Sequence, residues 1–100
     1  MLKHIVMWKF RETAEGASRE ENLRKATALI ESLRGRIPEI LRLEVGIDVS
    51  RSEQSYDLVL CSDFADVHGL RAYQKHPEHV RVVEFLRKVH AGRIVVDYVT

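Results

Sequence analysis

Three stretches of this 100-residue chain are apolar on both sides of an extended backbone, and that pattern narrows the folds open to it. In residues 2–10, Leu2, His4, Val6, Trp8 and Phe10 alternate with Lys3, Ile5, Met7 and Lys9, as in a strand. Residues 56–64 put Leu58, Leu60 and Phe64 on one side and Val59 and Cys61 on the other. A run from Ile94 to Val99 is again apolar on both. A further strand differs: Leu41, Leu43, Val45, Ile47 and Val49 alternate with Arg42, Glu44, Gly46 and Asp48, so only one side is apolar.

Helical signals fill the gaps. Ser18 and Glu21 form a Ser-x-x-Glu capping box ahead of Leu23, Ala26, Ile30, Leu33 and Ile37 at helical spacing, with Pro38 as the stop. Polar residues Ser50 to Ser55 form a turn. Asp66 is a suitable N-cap for a short helix through Tyr73 to His76. Pro77 breaks that helix and starts a second one carrying Val82, Phe85, Leu86 and Val89, which Ala91-Gly92 ends. The order is β-α-β-β-α-β, an α+β ferredoxin-like unit with a four-stranded antiparallel sheet and its second helix in two pieces. Residues 1–100 form one domain, with no repeat and no linker.

In such a unit the helices cover one face of the sheet. Ile5, Met7, Val59, Cys61, Val95 and Val99 are then expected on the uncovered face, a patch larger than soluble monomers tolerate. The expected remedy is a homodimer packed sheet against sheet into a barrel, with the charged strand at its rim.

Composition removes several function classes. Sixteen Lys and Arg oppose fifteen Asp and Glu, interleaved along the chain, so neither charge nor exposed aromatics point to nucleic acid. Cys61 is alone, which rules out an intrachain disulfide and fits a reducing compartment. Lysines interrupt the opening apolar run too often for a signal peptide, and no run is long enough to span a bilayer. A cytoplasmic protein with no membrane partner is expected.

The chemistry concentrates in Tyr73-Gln74-Lys75-His76-Pro77-Glu78-His79, a phenol and two imidazoles around a helix break. These are side chains that acid–base chemistry recruits near neutral pH. His79, in the first turn of a helix, is placed inward, where the helix N-terminus favours a neutral ring. His76 reads as an exposed cap. His4 shares the helix-facing side of the first strand and is expected in the same cavity. His76 and His79 have H-x-x-H spacing but lack further ligands, so no metal is expected. Glu78 is expected to point outward, His68 and His90 to be solvated on helix surfaces, and Cys61 to serve as a small apolar residue. No Ser-His-Asp order, glycine-rich phosphate loop or carboxylate pair stands out, and no cofactor is expected.

The opening Lys3-His4-Ile5-Val6-Met7-Trp8-Lys9-Phe10, the Tyr73 to Val80 stretch and the closing Val95-Val96-Asp97-Tyr98 together resemble the stress-responsive α/β-barrel (Dabb) family over essentially the whole chain. The resemblance implies a dimeric α+β barrel. Most of the family has no assigned activity, but plant polyketide cyclases of the olivetolic acid cyclase type perform a cofactor-free aldol closure. By that resemblance the acid–base histidine matches His79, its tyrosine partner Tyr73, and a strand-one pocket histidine His4. Two other pocket positions depart from the pattern, falling at Leu58 and near Ala26, so the same cyclase substrate is not expected.

The expectation is therefore a homodimer with a small-ligand pocket between sheet and helices in each subunit. Val6, Trp8, Leu58, Leu60, Phe85 and Leu86 supply its apolar wall, for a small apolar or aromatic carbonyl ligand. His79 acts as general base, Tyr73 orients it, and His4 donates to the oxygen on which charge develops. Two rivals remain: a non-catalytic structural or stress dimer with a filled interior, and a cofactor-free monooxygenase, suggested by fold analogy alone.

Overall fold

The computed structural model describes residues 1–100. Its main sheet contains β1 (Leu2–Phe10), β4 (Arg42–Ile47), β5 (Leu58–Phe64) and β6 (His90–Val99), all antiparallel, in the order β4-β5-β1-β6. Helices α1 (Arg19–Glu31), α2 (Val67–Lys75) and α3 (Pro77–Val89) cover one face. This is the ferredoxin-like α+β arrangement, with a two-strand hairpin, β2 (Thr13–Ala14) and β3 (Ala17–Ser18), inserted before α1. The hairpin has no alternating pattern to announce it. It turns through Glu15 and Gly16, both at positive φ, the backbone that a tight hairpin turn requires.

Local signals set the helix ends. Ser18 and Glu21 form the full capping box of α1. The Asp66 carboxylate accepts from the Gly69 N–H at 3.0 Å and caps α2. His76 both closes α2 and opens α3, where its Nδ1 accepts from the Glu78 N–H at 3.1 Å and Pro77 takes the first helical position.

Two helix ends fall earlier than the spacing predicts. α1 stops at Glu31 and the chain turns through 32–36, with Gly35 at a φ of +81°, so Leu33 and Ile37 reach the core from turns rather than from a helix. α3 ends at Val89, and Ala91-Gly92 lie inside β6: His90 adopts extended backbone, and β6 begins with no loop. β4 is also shorter than expected, leaving Leu41 and Val49 outside it and exposed.

Register corrects one part of the patch. Val95 pairs with Val6 and Val99 with Leu2, and residues directly opposite in an antiparallel ladder share a face. Val95 and Val99 therefore lie on the helix side, and Ile94, Val96 and Tyr98 join Ile5, Met7, Val59 and Cys61 on the other. Ile94 is 48% exposed, Val96 60% and Tyr98 43%. The even residues of β1, by contrast, are all buried against the helices. No helix is long and apolar enough to cross a membrane.

Candidate functional site

β1 carries His4 into the interior between Leu2 and Val6, where only 3% of it is exposed. Directly opposite on β6 is Asp97, whose Oδ1 lies 2.5 Å from His4 Nδ1. A carboxylate only accepts, so Nδ1 carries the proton and Nε2 is left for the cavity that the ring lines. Tyr73, in the last turn of α2, is buried with its ring centroid 4.9 Å from that of Phe64 and 6.0 Å from that of His4. Its hydroxyl has no partner within the chain and is not sealed off, so it opens to the cavity. Burial raises the phenol's pKa well above its usual value, against the opposing pull of the Arg93 charge.

His79 stands in the first turn of α3, its ring 4.3 Å from that of Tyr73. Its Nδ1 donates to the Gln74 carbonyl at 3.1 Å, one of the acceptors left free where α2 ends. That bond fixes the tautomer and leaves a lone pair on Nε2. Burial lowers the pKa of the ring, the Gln74 bond raises it, and the His4, Arg93 and His76 charges lower it further; the net shift is downward. His79 is therefore neutral at pH 7, in the form a general base requires.

These three side chains border one cavity of about 410 Å³ between α3 and the β1–β6 side of the sheet. Val6, Trp8, Leu60 and Leu86 line it, with Ile30 and Leu33. Leu58 and Phe85 do not. Leu58 is sealed in the core at the start of β5, and Phe85 turns toward α1, where the Lys25 Nζ lies 4.9 Å from its ring centre. Phe85 and Leu86 differ by about 100° in direction around α3, and it is Leu86 that faces the cavity.

The polar lining includes residues that periodicity does not single out: Gln74, Glu84, Arg87, His90 and Arg93. His90, expected on a helix surface, is instead the first residue of β6, and its Nδ1 is buried without a partner. Desolvation first, then the Arg93, Arg11 and Arg87 charges, lower its pKa. Arg93 lies opposite Trp8 on the helix side of β6. Asp97 carries part of the family resemblance, but only the β1–β6 register reveals it as the partner of His4. No group of three or more His, Cys, Asp or Glu is gathered as for a metal ion, and the H-x-x-H histidines serve separately as a helix cap and a cavity residue.

No match was found among curated proteins. Several solved structures share the fold. A dimeric protein of unknown function and ferredoxin-like fold from Bacteroides fragilis is 29% identical, with 99% of this chain and 95% of that one covered and a TM-score of 0.84. A dimeric ferredoxin-like protein of unknown function from Thermobifida fusca is 23% identical, covering 99% and 90%, at 0.86. A hydroxynitrile lyase from Passiflora edulis is 17% identical, covering 99% and 92%, at 0.79, a likeness of fold alone. The stress responsive A/B barrel domain model matches residues 2–100, and the chain belongs to that family.

Proposed function

We propose that this protein binds a small apolar or aromatic carbonyl ligand in its cavity and moves a proton on it without a cofactor, in a polyketide cyclase-like manner. The observation that carries the reading is His79: a neutral imidazole, tied through Nδ1 to Gln74 and packed at a tilt against Tyr73, at the wall of an open cavity. His79 Nε2 takes a proton from the carbon alpha to a carbonyl, and the C–H electron pair passes into the enolate. Gln74, rather than the Tyr73 hydroxyl, orients the base. The hydroxyl is thereby free to donate to the oxygen on which charge develops. His4, whose Nδ1 is occupied by Asp97, offers Nε2 to a ligand hydroxyl. The open cavity supports this reading over a structural dimer with a filled interior.

The test is deuterium exchange at the alpha carbon of ethyl acetoacetate and 1,3-cyclohexanedione in D2O. Exchange above the buffer rate, lost in His79→Ala at unchanged thermal stability, is expected. Equal rates for the variant and the native protein would overturn the assignment.

The chain is further proposed to pair with a second copy through the outer sheet face of Ile5, Met7, Val59, Cys61, Ile94, Val96 and Tyr98. Exposed apolar surface on that scale supports the pairing, as does the dimeric description of the two bacterial relatives. Sedimentation at micromolar concentration should give twice the chain mass, and Val96→Asp the single-chain mass. A native mass near 11.6 kDa would refute the dimer.

A further inference from the structure

The two ends of the cavity differ in chemistry. His4, Tyr73 and His79 stand at one end; Arg87, His90 and Arg93 gather where α3 passes into β6. Along β1 the ends are marked by His4 and Trp8, the residues opposite Asp97 and Arg93. Four strand steps separate them, about 13 Å before the reach of the arginine side chain is subtracted.

Neither arginine is neutralised. No carboxylate lies within ion-pair distance of Arg87 or Arg93, although six arginine–carboxylate pairs form elsewhere in the chain. Glu84 is the one carboxylate among the lining residues; it is exposed on α3 and engages neither arginine. Arg93 acts electrically on both ends, since its charge lowers the pKa of Tyr73, His79 and His90 alike. An exposed guanidinium without a carboxylate partner keeps its donor fork free for an anion.

His90 supplies a second donor. Its Nδ1 is buried and unpartnered. An orphaned acceptor costs less than an orphaned N–H, so the ring proton resides on Nε2, which can donate to an anion. Arg87 and Arg93 set against Glu84 leave one net positive charge, which suits a monoanion better than a phosphate dianion.

We propose that the natural ligand carries a carboxylate, held by Arg93 with His90 and Arg87 at the α3–β6 end, and an apolar body that runs along Val6, Trp8 and Leu60 toward His79. The assignment rests on the reading of the cavity as a small-ligand site. It makes the ligand a carboxylic acid whose reactive carbonyl lies away from the acid group. The anion fixes the orientation, and His79 meets the far end.

Calorimetric titration with octanoate, octanamide and octyl phosphate tests this, using the native protein, Arg93→Lys and Arg93→Gln. Arg93 is exposed, so both variants should melt with the native protein. Octanoate should bind about tenfold or more tighter than octanamide. Arg93→Lys should retain part of that preference and Arg93→Gln none. Octanoate should also shift the His79 and His90 ring proton resonances. If octanamide binds as well as octanoate, if octyl phosphate binds tightest, or if the preference survives in Arg93→Gln, the carboxylate is refuted and the cavity reading stands. If none of the three binds the native protein, the cavity reading falls and this inference with it.

Discussion

Tyr73 separates a structural role from a functional one, because its ring and its hydroxyl have different surroundings. Its exposure is 1%, and the ring packs between Phe64 and His79. Tyr73→Ala removes a buried aromatic and leaves a cavity, at a cost of about 3–5 kcal/mol. A domain of this size has about 5–15 kcal/mol in total. At about 4–8 °C for each kcal/mol, the midpoint should fall by about 12 °C or more. The hydroxyl, by contrast, has no partner in the chain, and its loss in Tyr73→Phe leaves nothing unpaired. That variant should stay within about 0.5 kcal/mol of the native protein in urea denaturation. Alpha-proton exchange of ethyl acetoacetate should nevertheless drop about a hundredfold, the loss of one donor to a developing oxyanion. A loss of more than about 1.5 kcal/mol in Tyr73→Phe would mean that the hydroxyl is a satisfied structural group. Exchange at the native rate would mean that it takes no part in the chemistry. Either result refutes the reasoning.

Asp97→Ala should cost about 1–2 kcal/mol in urea denaturation, since it strands the buried Nδ1–H of His4; the exposure of Asp97 keeps the figure below that of a fully buried pair. A double-mutant cycle with His4→Phe should recover most of this as coupling, and additive effects would refute the pair. His79 and His90 both have folded pKa values below the unfolded 6.5. Between those values the unfolded chain binds more protons, so stability should rise with pH through that window and be lost as pH falls below 6.5. Urea melts from pH 5 to pH 8 should show this slope, and His79→Gln should flatten it; a slope of opposite sign would contradict the burial of these rings.

Much of the site was legible because it rests on local signals. The β1 alternation placed His4 on the helix side, Pro77 marked the joint between α2 and α3, and the spacing after it turned His79 inward. Those cues lie within a few residues of the side chains that they place. β6 offers no such cue. It is apolar on both sides, and a one-residue change of register exchanges its faces, so only pairing with β1 settles which residues look inward. The inward placement of Arg93 and Asp97 is hidden for that reason, and the same ambiguity puts Val95 and Val99 on the wrong side. His90 was lost with them, since α3 gives way to β6 without the glycine stop that Ala91-Gly92 suggests. Phe85 and Leu86 are adjacent and both apolar, and helical spacing alone could not say which of them lines the cavity.

The direct passage of α3 into β6 contains one irregularity, a bulge at which Ala91 has no partner on β1. One residue inserted beyond that bulge, between Gly92 and Arg93, would advance the rest of the strand by a single step. Arg93, Val95 and Asp97 would exchange places with Ile94, Val96 and Tyr98, stripping the cavity of its cation and the His4 partner while putting charge on the outer face. A surface loop can lengthen without moving a side chain from one face to the other, whereas one residue added to β6 past its bulge moves every one that follows.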